Sequence, residues 1–288
     1  MAHQVEIIDG KAQMAYAGKV PWHGLGVPVS NDLTPTQMME KAGLDWNVRE
    51  VESFIEYDGK KMSTGLKSLV RETDGKILTN VGENWNPCQN SDAFEFFSEY
   101  VLAGDMEMHT AGSLKGGRMV WALAKIKDSF ELFKGDQVDS YLLFSNPHQY
   151  GKSIDVRFTP IRVVCNNTLT LSLDQTVEKS VKVGHKSEFD PSSVKEALGI
   201  ATQKMNTYKE MAVDTLSRNA KLCYDALDTQ PGAQYAEGSW WQAFNAVTYV
   251  TDHVQGRNAD NRLYSNWFGT NEIRKRNAIN KAVEYAGV

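Results

Sequence analysis

Two hairpin signals decide what the first third of this chain can become. "YDG" at 57–59 and "TDG" at 73–75 each set glycine after aspartate, the pairing that supplies the positive φ of a tight turn. Alternating runs flank them, so residues 47 to 82 read as strand, turn, strand, turn, strand. A second β block is expected from about 106 to 173. There "GGRMVWALAKI" is apolar at both alternating sets, as for a strand covered on both faces. "SYLLFSNPHQYGKSIDVRF" reads as two strands joined by a loop holding Pro147 and Gly151.

Helical signals fill the gaps. "DLTPTQMMEKAG" offers Asp32 or Thr34 as cap, Pro35 in the first turn and Gly43 as the stop. "NSDAFEFFSEYVLAG" reads as one helix capped near Ser91 or Asp92 and ended by Gly104, burying Ala93, Phe96, Phe97 and Tyr100. Asp190 and Pro191 open a long helical stretch over 191–229, striped by Val194, Leu198, Ala201, Met205, Tyr208, Met211 and Leu216. The tail from 233 onward is expected to be helical, with Trp240, Trp241, Phe244, Val247 and Val254 on one broad face and "TNEIRKRNAINKAVEYAG" as the last helix. The fold class that follows is α+β: antiparallel β-sheet blocks packed with helices and a helical C-terminal region. Residues 1–190 form the mainly antiparallel part and 191–288 the mainly helical part, packed together as one unit.

The 288 residues are 41% hydrophobic and 23% charged, an ordinary soluble composition. Nothing approaches the roughly 20 apolar residues of a membrane span, and "MAHQVEIIDGKAQMAYAGK" lacks a basic head before an apolar core. A cytosolic protein with no membrane partner is expected. Three cysteines (Cys88, Cys165, Cys223) and six scattered histidines show neither disulfide nor metal-ligand spacing, so no cofactor or metal is expected. The net charge of −5 argues against nonspecific coating of duplex DNA but permits a local basic groove.

The stretch "SIDVRFTPIRVVCNNTLTLSL", 153–173, breaks its own alternation. Ile154, Val156 and Phe158 occupy even positions, then Ile161 and Val163 take the odd ones. A bulge at Thr159 and Pro160 would explain the change and would bring Arg157 and Arg162 to one face, where two guanidiniums can grip phosphates. The competing reading pairs them with carboxylates on neighbouring strands. Asn166 and Asn167 can cap or bond local backbone. Cys165 shows neither the base nor the lowered pKa of a nucleophile. Trp22 and His23 in "PWHGLG" suit a core plug or a ligand contact equally.

Other cations gather in short runs. "SLKGGR" puts Lys115 and Arg118 on a tight turn without the spacing of a nucleotide-triphosphate loop, and Lys152 follows Gly151. "EKSVKVGHK" carries Lys179, Lys182, His185 and Lys186. Arg274, Lys275 and Arg276, with Lys281, lie beside Trp267 and Phe268. Cations interleaved with aromatics suit single-stranded nucleic acid; a solvated helix face is the plainer alternative. No spacing marks a catalytic carboxylate pair, so the chain reads as a non-enzyme more readily than as an enzyme.

Four phrases together are specific: "AGKVPWHGLGVPV", "VGENWNPCQNSDAFEFF", "FTPIRVVCNNTLTLSL" and "SWWQAFNAVTYVTDHVQGRNADNRLYSNWFG". In this order they resemble the DUF932 family of phage- and plasmid-type proteins of uncharacterised function, from about Tyr16 to Ala286. The resemblance implies a mobile-element origin and host cytoplasm, and it transfers no catalytic residue. The layout is also similar to Rad52-like annealing proteins, which lay DNA in a basic groove between sheet and helix as rings or filaments. The expected function is therefore nucleic-acid binding, with single-stranded DNA as partner and single-strand annealing or recombination as the activity. Lys115, Arg118, Lys152, Arg157 and Arg162 would line the groove, and Arg274, Lys275 and Arg276 of the terminal helix are further candidate nucleic-acid contacts; a homo-oligomer is in keeping with this. The alternatives are a host-directed protein-binding module, marked by an apolar patch around Trp240, Trp241 and Trp267, and an enzyme of unrecognised type.

Overall fold

The computed structural model describes residues 4–21, 24–127, 130–133, 136–162, 167–168, 181–186, 188–196, 240–254 and 262–286. Chain order begins with a small hairpin, β1 (Ile7–Ile8) and β2 (Lys11–Ala12), then β3 (Met14–Ala17), β4 (Val27–Val29) and helix α1 (Pro35–Lys41). Thr34 caps α1 by accepting from the Gln37 amide (3.2 Å), Pro35 sits in the first turn, and Gly43 leaves the helix at φ +69°.

Next come β5 (Val48–Tyr57), β6 (Lys60–Arg71) and β7 (Ile77–Gly82), an antiparallel three-stranded sheet. Its first turn is Asp58 and Gly59, both at positive φ (52° and 69°), with Tyr57 opposite Lys60. This is the turn expected of an Asp-Gly pair.

The segment expected to form one helix is two, α2 (Asn90–Glu95) and α3 (Ser98–Leu102). Gln89 takes the cap position and Asp92 bonds back to its amide (3.2 Å). Phe94, Phe96 and Phe97 are all buried; they cannot share one face of a straight helix, and the break lets all three enter the core.

The large sheet follows: β8 (Met106–Leu114), β9 (Met119–Ile126), β10 (Phe130–Phe133), β11 (Asp136–Pro147), β12 (Ile154–Arg162), β13 (Asn167–Thr168) and β14 (Val181–Val183). Its order is β4-β3-β8-β9-β11-β12; β10 pairs with β11, and β13 and β14 share the outer edge of β12. All pairings are antiparallel except β3–β4, which is parallel, so the sheet is mixed. Residues 191–196 are helical; the remainder of the helix expected over 191–229 lies outside the described residues. The described C-terminal segments form α4 (Trp240–Tyr249), which runs into a π-helical turn (Val250–Val254), then α5 (Arg262–Phe268) and α6 (Thr270–Ala286). No helix among the described residues is long and apolar enough to cross a membrane.

Both faces of the sheet are covered. Val120, Ala122, Ala124, Leu142, Phe144, Ile154 and Val156 join a core with α1, α2 and the second sheet's Leu69, Leu78 and Val81. Met119, Trp121, Leu123, Tyr141 and Leu143 face the other way, against Tyr264 and Trp267 of α5. The expectation for "MVWALA" holds. Gly112 lies directly under the Trp121 ring, where an added Cβ would overlap ring carbons. Trp121 is fully buried and stands edge-on to Trp267 (5.9 Å), so the ring has nowhere to retreat. Gly112→Ala is expected to cost about 1–3 kcal/mol, read as a lower urea midpoint with unchanged slope.

The bulge expected at Thr159 and Pro160 is absent. The β11–β12 ladder runs unbroken from Val138↔Arg162 to Ser145↔Asp155, which puts positions 157 and 162 on opposite faces of the sheet. A strand covered on both sides carries apolar residues at either parity, and each neighbour bonds only alternate residues, so Pro160 forces no break. The register slips instead on β8, between Met108 and Thr110. The extra residue, His109, is aimed at the Tyr141 ring (5.0 Å).

Candidate functional site

One end of the large sheet collects residues that are far apart in the chain. The β8–β9 turn holds Lys115 (φ 54°), Gly116 and Gly117 (φ 67° and 90°) and Arg118. The Arg118 carbonyl accepts from the His148 amide (2.9 Å), and the β11–β12 turn carries Tyr150, Gly151 and Lys152. Since Ile154 pairs with Val183, His185 and Lys186 run on beside that turn. The strand order β9-β11-β12-β14 thus lines up Arg118, His148, Lys152 and Lys186 across the sheet end. Arg118, Lys152 and Lys186 are exposed, and none of them forms an ion pair among the described residues. The Lys115 ammonium lies over the Tyr264 ring (3.3 Å).

Aromatic rings sit among these cations. Tyr150 is 68% exposed, its ring centroid 6.4 Å from that of half-buried Trp85. Trp85 in turn stacks on His185 at 4.0 Å, nearly parallel. "NWNPCQN" and "VGHK" contributed these residues, yet nothing in either phrase pointed to the other. The only sequence signal was the cation run around His185.

Beneath the rings lies a neutral polar cluster. The Asn90 amide nitrogen donates to the Leu44 and Trp46 carbonyls (3.0 and 3.4 Å), and its Oδ1 meets His148 Nε2 (3.0 Å) and the Asn146 amide (3.4 Å). Asn146 also donates to the Cys88 carbonyl (2.9 Å), while the Trp46 and His148 rings lie 5.3 Å apart. Burial, then the proximity of His185, drives His148 down to about 3. Burial also lowers His185, against the opposing bond to the Asn86 carbonyl. Both imidazoles are therefore neutral at neutral pH. Burial, then Asp92, pushes the Cys88 thiol up to about 12, so it is no nucleophile. Among the described residues, no group of three His, Cys, Asp or Glu side chains is placed to hold a metal.

The other expected contacts divide. Arg157 bonds Asp155 (3.0 Å) and approaches Glu272 of α6 (3.9 Å), the carboxylate pairing weighed as the alternative. Arg276 bonds Glu272 as well (Nε, 3.1 Å), and half-buried Arg274 contacts Asn271 (3.5 Å). Lys275 is fully buried against Asp252 (2.7 Å) and offers no charge to a ligand: the helix face that looked cationic is turned into the protein there. Trp22, His23, Cys165 and Asn166, and the side chains of Arg162 and Asn167, lie outside the described residues. So do the side chains of Trp240 and Trp241, while Trp267 packs on Trp121.

Residues 77–219 match the model of a family described as a domain of unknown function, DUF932. No curated protein and no solved structure matches the chain.

Proposed function

The chain belongs to the DUF932 family, and on that premise we propose that the end of its large sheet binds single-stranded nucleic acid. The observation that carries this is the placing of exposed Tyr150 and the Trp85–His185 stack among Arg118, Lys152 and Lys186. Single strands are held by rings that stack bases and by cations that follow phosphates. All of these residues fall within the matched segment. Arg157, Arg276 and Lys275 already face carboxylates, which shifts the proposed interface from the sheet-and-helix groove to the sheet end. Strand annealing, the Rad52-like reading, is the activity this interface would serve.

The test is binding of labelled single-stranded oligonucleotides across a salt series. If three to four phosphates are engaged, log K is expected to fall with log salt at a slope of about −2 to −3. Arg118→Ala with Lys152→Ala is expected to lower the slope by about 1.4, and Tyr150→Ala to weaken binding roughly tenfold or more with the slope unchanged. Absence of binding at low salt would sink the proposal.

A second reading, a protein-binding module, is favoured by a different surface. The β5–β6 hairpin exposes Ile55 (54%) opposite Met62 (49%), with Phe54 (44%) and Tyr57 (72%) nearby. Exposed apolar residues grouped in this way mark contact surfaces.

A further inference from the structure

Five buried polar atoms around the sheet end have no hydrogen-bond partner: Trp46 Nε1, Trp85 Nε1, Asn146 Oδ1, His148 Nδ1 and His185 Nε2. Asn146 and His148 are at most 1% exposed, and Trp46 and His185 4%. The Trp46–His148 ring contact and the Asn90 bonds join Trp46, Asn146 and His148 in one group. Trp85 stacks on His185 in a second, which lies close enough for His185 to act on His148. A folded chain holds few such atoms, and each needs an explanation.

Their chemistry can be assigned from the partners on the other side. Both Asn90 amide hydrogens are committed to carbonyls, so its Oδ1 can only accept. His148 must therefore carry its proton on Nε2, leaving Nδ1 a bare acceptor. His185 Nδ1 faces the Asn86 carbonyl, so its Nε2 is bare as well. Asn146 spends its amide hydrogens on Cys88 and Asn90, leaving Oδ1 to accept. The cluster thus offers three acceptors and two indole N–H donors, all neutral. Arg71, beside Trp46, is already held by Glu6 and Asp74, so the cluster offers an anion no uncommitted counter-charge and its own side chains offer a cation no carboxylate.

A neutral, planar, donor-rich partner fits this set, and Trp85 ties the set to the stacking surface above it. We propose that the cluster reads the edge of one base of the bound strand and favours guanine over thymine. Guanine presents a ring N–H and an amino group to the acceptors, with O6 and N7 for the indoles, whereas thymine presents a single N–H and a methyl group. The inference rests on the nucleic-acid reading above and adds base selection to it.

The experiment compares an oligothymidylate of about 15 nucleotides with the same strand carrying one central guanine, on the unaltered protein. The guanine strand is expected to bind roughly tenfold tighter or more, with the same salt slope, because no phosphate contact is added. Trp85→Phe removes one donor and keeps a ring; measured against the variant's own thymidylate affinity, it is expected to narrow that ratio by severalfold. Equal affinities with steep, matching slopes would overturn base selection, leave the phosphate-binding reading standing and assign water to the cluster. Tighter binding of the thymidylate would overturn it too. If neither strand binds, both readings fall together.

Discussion

Replacing Arg71 by alanine is expected to cost about 3–5 kcal/mol of folding stability, measured as the loss of unfolding free energy in urea. Arg71 stands at the end of β6 and is only 1% exposed. It holds Glu6 bidentately (3.0 and 3.1 Å) and Asp74 through Nε and a terminal nitrogen (2.9 and 2.6 Å), and its guanidinium lies 5.2 Å from the Trp46 ring centroid. Glu6 also accepts from the Ser113 hydroxyl (3.0 Å) and the Lys76 ammonium (3.1 Å). Three segments meet at these charges: the N-terminal arm, the second sheet and the end of β8. The large effect comes from leaving the Glu6 carboxylate buried with too little counter-charge, so removing both partners should hurt less than removing one. Arg71→Met with Glu6→Leu is expected to recover part of the loss. A double variant less stable than Arg71→Met alone would show that the network contributes more than a desolvated ion pair can.

Acid is expected to have an effect of similar size. An unfolded histidine titrates near 6.5. Within the fold, burial and then Lys125 lower His109 to about 4, and His148 is lowered to about 3. Between those values and 6.5 the unfolded chain binds more protons than the native one, so stability rises with pH across this window and is lost as the pH falls through it. At pH 5 each of the two histidines removes about 2 kcal/mol relative to pH 7, and His185, lowered in the same direction, adds to the loss. Urea midpoints at pH 7, 6 and 5 would show it, and His109→Phe should flatten the slope by its share. Equal stability at pH 7 and pH 5 would mean that these rings are protonated or solvated in the native state.

Much of the framework was legible because it is written in neighbouring residues. Asp58 and Gly59 make the turn their types demand, Thr34 and Pro35 start α1, and the doubly apolar β9 lies between two cores. Each of these depends on residues within about one turn of chain. Parity failed over 154–163 for the reason that served β9 well. Once both faces are covered, an apolar residue no longer says which face it takes, and the supposed bulge dissolves into an unbroken ladder.

The site was legible only in pieces. Lys115, Arg118 and Lys152 were visible as cations on glycine turns, while Trp85, Asn90, Asn146 and His148 read as ordinary residues of helix ends and strands. Arg157, Lys275 and Arg276 looked like candidates of equal standing, and their carboxylate partners Glu272 and Asp252 could not be paired with them from spacing alone. By itself, the sequence determined turns, caps, strand segments and the family, since local backbone preference and long specific phrases do not wait for tertiary contacts. The tertiary structure decided which charges face solvent and which rings and imidazoles meet, because strand order joins Arg118, His148, Lys152 and His185 across the sheet. Burial then sets whether each charge is offered to a partner or neutralised within.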